Sequence, residues 1–215
     1  MYQPEHFRED RREVLHAFIR RHPLGALVSM GAAGLTADHI PMELVARDGS
    51  DGVLRGHLAR ANPLWRSVPA EASVLVIFGG ADRYVTPSWY ATKHETGRVV
   101  PTWNYAVVHA HGRLRFIDDP AWLHGLVSGL TDAHEARLTT PWKVTDAPDD
   151  YVAQMVSAIV GFEIEIDHLT GKFKASQNRN AADREGVLAG LEADGLAADE
   201  VGELLRAPEI PRSTP

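Results

Sequence analysis

Residues 84–105 read YVTPSWYATKHETGRVVPTWNY. A segment that only packs a core repeats its apolar residues every two or every 3.6 positions. This one does neither, because Pro87 and Pro101 interrupt both periods. It carries Tyr84, Tyr90, Tyr105, Trp89 and Trp103 among Thr86, Ser88, Thr92, Lys93, Arg98, Thr102 and Asn104. Flat rings beside short hydroxyls, an amide and cations suit a planar ligand bearing a phosphate, because rings stack while the polar groups fix orientation. The same composition also suits an aromatic loop pair packed in a dimer interface.

Regular elements lie on both sides. Ser73–Phe78 reads as a buried strand ended by Gly79-Gly80, and Tyr105–Ile117 as a long strand with Gly112 inside it. Further out, Leu24–Met30 and Leu35–Val45 form two strands around a Gly31/Gly34 turn. Pro41 within the second marks an edge or a bulge. Asp48-Gly-Ser-Asp-Gly52 turns the chain so that Val53–Leu58 pairs back. Val160–Ile166 alternates and runs on toward Gly171–Ser176. Helices are expected over residues 4–21, after Asn62-Pro63, from Asp118-Asp119-Pro120, around Tyr151–Ser157, and as a pair broken near Gly195. Short strands joined by tight turns, with helices between, indicate a mainly β fold: an antiparallel barrel with peripheral helices.

The bulk properties narrow the function. The chain has 215 residues, enough for one domain with a sizeable core. Its formal net charge of −7 argues against an extended basic nucleic-acid surface. With no cysteine, disulfides, thiolate catalysis and Cys-ligated metals are absent. The start, MYQPEHFRED, is polar and reads as no secretory signal, and Val74–Phe78 is far too short to span a bilayer. A cytoplasmic, non-membrane protein is expected.

Three further stretches carry chemistry. In Gly56-His-Leu-Ala-Arg-Ala-Asn-Pro63 a strand ends and a helix begins, bringing free N–H groups to His57, Arg60 and Asn62. That combination can cradle a phosphate, or Asn62 is a plain helix cap beside a solvated arginine. His109 and His111 share a strand face with Arg113 and Arg115, whose charge opposes a metal there. Gly171–Arg179, GKFKASQNR, is dense in donors: Lys172, Lys174, Ser176, Gln177, Asn178 and Arg179. The tail beyond residue 180 is acidic, the wrong sign for a helix reading a DNA groove. No nucleophile–base pair or Gly-rich nucleotide loop stands out, so no catalytic residue is assigned.

MYQPEHF, HIP at 39–41, GHLARANP at 56–63, YVTPSWY at 84–90, VVPTWNY at 99–105 and GKFKASQNR at 171–179 together resemble the PaiB family of FMN-binding negative transcriptional regulators. Gly112 and Asp118-Asp119-Pro120 are similar to the wider split-barrel flavoprotein group, which includes pyridoxamine-phosphate oxidase-like proteins. The resemblance implies an FMN-binding split β-barrel that forms a homodimer, with flavin lined by both subunits. On that basis residues 1–180 form the FMN-binding domain, 181–207 a helical tail and 208–215 a loose end. His39 and Pro41 would line the flavin ring, while His57, Ala59, Arg60 and Asn62 would hold the phosphate and ribityl chain. Thr102, Trp103 and Asn104 would complete the site, with Lys174 and Gln177 closing it. A regulator acting on DNA directly or through a partner is the implied role. A flavin-dependent oxidoreductase and a haem-binding split barrel are the alternatives.

Overall fold

The computed structural model describes residues 1–206. A turn of 3-10 helix at Glu5–Phe7 leads to β1 (Arg8–Glu9) and α1 (Arg12–Arg21). Then come β2 (Leu24–Gly31), β3 (Gly34–Pro41), β4 (Glu43–Val45), β5 (Val53–Ala59), α2 (Leu64–Ser67) and β6 (Ala72–Val85). After a 3-10 turn at Pro87–Trp89 follow α3 (Ala91–Thr96), β7 (Thr102–Ile117), α4 (Pro120–Glu135), α5 (Asp149–Ser157) and β8 (Ile159–Lys174). Helices α6 (Ala181–Ala193) and α7 (Glu200–Arg206) end the described chain. The loose end expected at 208–215 lies outside the described residues.

The strands form one sheet in the order β3-β2-β6-β7-β8-β5-β4, with β1 on β8. Pairings β2–β3, β2–β6, β4–β5, β5–β8 and β1–β8 are antiparallel. The hydrogen-bonded order is a path with ends at β3 and β4, so the mainly β, antiparallel expectation holds and the sheet does not close on itself. The end of β3 approaches β5, one strand in from the other end: the Pro41 carbonyl lies 3.2 Å from where a Cβ on Gly56 would sit.

Several expected boundaries move, each for a local reason. The helix expected over 4–21 starts only at Arg12, because Glu9 takes the Arg11 N–H (2.9 Å) and its guanidinium (2.6 Å) while β1 joins the sheet. Leu35–Val45 is broken at Met42, whose N–H donates to the Pro23 carbonyl at 2.9 Å. Strand β6 passes through Gly79-Gly80 to Val85, and β7 begins at Thr102, three residues early, since neighbouring strands satisfy their backbone groups. Asp119 does cap α4 as expected, its Oδ1 accepting from the Trp122 N–H at 2.8 Å.

The chain divides into two compact units. The larger, residues 16–78 and 109–169, has a core that includes Leu27, Ile40, Leu54, Leu58, Phe78, Leu114, Leu123, Phe162 and Ile164. The other comprises residues 1–15, 79–108 and 170–206. There Val85, Tyr90, Ala175, Val187, Leu191, Val201 and Leu205 pack together, with Trp89 and Val99 against them. Burying such side chains stabilises by roughly 1.5–3 kcal/mol each, so α6 and α7 are part of this core.

Candidate functional site

In the larger unit, alternation on β3 buries Ile40 and leaves His39 and Pro41 exposed. On β5 the inward residues are Leu54, Gly56 and Leu58, which turns Arg55, His57 and Ala59 to the other face. His57 is half-buried, and among the described residues its Nδ1 is buried without a hydrogen-bond partner. Burial pushes its pKa below the usual histidine value, so the ring is neutral at neutral pH.

Arg60 follows directly. Its guanidinium grips Asp118 with both arms, Nη1–Oδ2 at 2.8 Å and Nη2–Oδ1 at 2.6 Å. It also donates to the carbonyls of Ser157 (2.8 Å) and Ile159 (2.9 Å). Those hydrogen bonds hold the Asp118 carboxyl below its ordinary range. The guanidinium is therefore matched to a carboxylate, and a phosphate here competes with Asp118. Asn62 does what a cap does, one residue early: its Oδ1 accepts from the Leu64 N–H (2.9 Å), and its Nδ2 donates to Asp38 on β3 (2.8 Å). The asparagine thus ties the strand of His39 to the loop of Arg60.

The expected residues of the other unit form their own set. Thr102 accepts from Lys174 Nζ at 2.6 Å. Asn104 is fully buried and exchanges hydrogen bonds with Ser176 Oγ at 3.0 and 3.3 Å. Ser176 sits at φ 60°, a backbone region that L-residues seldom occupy, and this amide–hydroxyl pair holds it. Gln177 clasps the turn that follows β8, accepting from the Ala175 N–H (2.7 Å) and donating to the Phe173 carbonyl (2.5 Å). Trp103 is half exposed, with Tyr84 edge-on at 5.9 Å between ring centroids.

The expected residues thus fall into two chemical kinds. His39, Pro41, His57, Ala59, Trp103 and the Thr102–Lys174 pair present surface or unengaged polar atoms. Arg60, Asn62, Asn104 and Gln177 are engaged within the chain and shape the backbone around them. The pairings with Asp118, Asp38 and Ser176, which decide this, escaped the sequence reading because each partner lies far along the chain. A cavity of about 630 Å³ between α4 and α5 is lined by Pro120, His124, Val144, Val152 and Val156 among others. None of the expected residues lines it, so its size is no pointer to their chemistry.

The family model described as "Putative FMN-binding domain" covers residues 1–168. The chain belongs to this FMN-binding family. Among its relatives in the family, an uncharacterized protein of Emericella nidulans is 38% identical over 86% of this chain and 88% of its own. The "Protease synthase and sporulation protein PAI 2" of Bacillus subtilis is 29% identical over 95% of this chain and 96% of its own. The chain is therefore a PaiB-like, FMN-binding-family protein. Its fold is shared with the FAD and heme binding protein of Mycobacterium smegmatis (TM-score 0.57, 18% identity, covering 85% of this chain and 80% of that one). It is likewise shared with the flavocytochrome Anf3 of Azotobacter vinelandii (TM-score 0.54, 16% identity, 78% and 69%). The residues fit an FMN of this family: among the described residues, a buried imidazole nitrogen without a hydrogen-bond partner, and exposed rings.

Proposed function

We propose that this chain works as a split-barrel homodimer in which each FMN is lined by both subunits. His39, Pro41, His57 and Ala59 of one subunit face the flavin, on a frame held by Arg60 and Asn62. The partner supplies Thr102, Trp103 and Lys174, held by Asn104 and Gln177. The family match over residues 1–168 carries this reading, because it takes in both HIP–GHLARANP and VVPTWNY. The neutral, unpartnered nitrogen of His57 supports it physically, since a buried polar atom left alone is costly and a ligand group relieves that cost. When bound, FMN supplies electron- or hydride-transfer chemistry. The residues here bind it, orient it and shield it from water.

The regulatory part of the proposal follows the likeness to PaiB. Action through a protein partner suits the acidic surface of α6 and the turn after it, where Glu185, Glu192 and Asp194 are exposed, better than direct insertion into DNA. The visible spectrum of the purified protein tests the core of the reading: flavin bands that saturate with added FMN are expected, and a protein that never takes up FMN overturns it. Sedimentation tests the dimer. A gel shift at physiological salt, with no retardation expected, tests the indirect mode.

The second reading is a flavin oxidoreductase or haem protein, favoured by the fold shared with a flavocytochrome. A Soret band, or NAD(P)H consumption with added FMN, would move the conclusion there.

A further inference from the structure

Strand β8 ends in alternation, with Gly171 and Phe173 buried and Lys172 and Lys174 turned the other way side by side. The N-terminal arm lies against them. Gln3 Nε2 donates to the Gly171 carbonyl at 2.8 Å, and Arg8 and Glu9 pair with Lys172 and Gly171. The Lys172 ammonium stands 5.5 Å from the ring centres of both Tyr2 and Tyr105. That of Lys174 stands 5.8 Å from Phe7 and touches Thr102. Among the described residues neither lysine has a carboxylate partner, and Arg8, opposite Lys172, is held by Asp10 at 2.5 Å. Two like charges beside each other at a half-buried position are unfavourable unless an anion joins them. Burial lowers the Lys174 pKa; Tyr105 opposes this, while Lys172 and Arg179 add to it.

We propose that Lys172 and Lys174 form an anion site walled by Tyr2, Phe7 and Tyr105, which takes the phosphate or carboxylate of a planar ligand. Each ammonium has three N–H donors, and the one bond to Thr102 leaves Lys174 two for the anion's oxygens. The tyrosine rings give a flat ligand something to stack on. The anion is either the phosphate of FMN itself, in which case the inference rests on the flavin reading, or that of a separate ligand.

Titration of the full chain with FMN and with riboflavin, which lacks the phosphate, separates these sources. Lys174→Gln keeps a partner for Thr102, and Lys172→Gln serves where the first variant unfolds; thermal melting verifies the fold. If the site holds the FMN phosphate, the variants bind FMN at least tenfold more weakly and riboflavin as wild type does. If it holds a separate anion, FMN affinity is unchanged, and inorganic phosphate bound by the wild type in calorimetry is lost in the variants. Folded variants that bind FMN and inorganic phosphate as the wild type does overturn the proposal. A wild type that binds neither flavin removes the flavin reading alone, and the phosphate titration then decides this one.

Discussion

The indole of Trp89 lies so close to Gly190 that a Cβ on the glycine would fall 2.3 Å from the ring. One helical turn earlier, a Cβ on Gly186 would fall 2.0 Å from the Trp89 carbonyl. The two glycines make α6 the seat of the ring-rich segment. Gly190→Ala is expected to destabilise by about 1–2 kcal/mol, overpacking outweighing the gain in helix propensity. Gly125→Ala in α4 has the opposite sign, since nothing lies within 4 Å of its Cβ position; there the propensity gain of about 0.5–1 kcal/mol stands alone. Urea unfolding of both variants measures the contrast, and equal effects would remove the seat from the account.

Asp183 joins the same two elements by hydrogen bonds. Its carboxylate, almost fully buried, accepts from the Thr92 N–H and the Thr92 hydroxyl, both at 2.9 Å. Asp183→Ala leaves that N–H without its acceptor and should cost about 2–3 kcal/mol. Limited proteolysis should then cut the variant within residues 91–97 sooner than the wild type.

Glu163 joins three strands. It accepts from Arg55 of β5 at 2.7 Å and from the Nε of Arg115 of β7 at 3.0 Å, with the Arg115 Nη2 also in contact. Burial pushes its pKa up, but the two arginines outweigh that and leave it lowered. A carboxyl held lower in the folded than in the unfolded chain stabilises above the unfolded value, and that stability is lost as pH falls through the folded one. Glu163→Gln should cost about 1–3 kcal/mol at neutral pH. It should also flatten the acid limb of a stability–pH curve; an unchanged limb would show that the ion pairs contribute nothing.

His57 offers a separation of stability from binding. Replacing it with Phe removes a buried nitrogen without a partner, so stability should hold or rise by up to about 1 kcal/mol. FMN affinity should fall about tenfold, the worth of one good hydrogen bond. Its lowered pKa also means that wild-type stability is lost as pH falls from the ordinary histidine value toward the folded one. The variant should lack that loss. Fluorescence titration and melting at several pH values check both.

Wherever local chemistry suffices, sequence and structure agree. Asp119-Pro120 opens a helix because the aspartate caps it and the proline needs no donor. His39 and Pro41 share a face opposite Ile40 because side chains alternate along any strand. The break between the C-terminal helices falls at Gly195, which adopts φ 70°. Strand ends moved wherever a neighbouring strand, invisible in one segment, supplied the missing hydrogen bonds, as at Gly79-Gly80.

Residue types and their spacing thus determined the β-rich class, the places where helices begin, and which side chains share a strand face. These follow from backbone sterics and from burial of alternating apolar positions, both short-range. Only the tertiary structure decided which polar groups are free. Arg60 reads as a phosphate fork until Asp118, 58 residues on, occupies it, whereas among the described residues Lys172 and Lys174 have no carboxylate partner. Charge pairing depends on distance through space, and that is settled only when the strands come together.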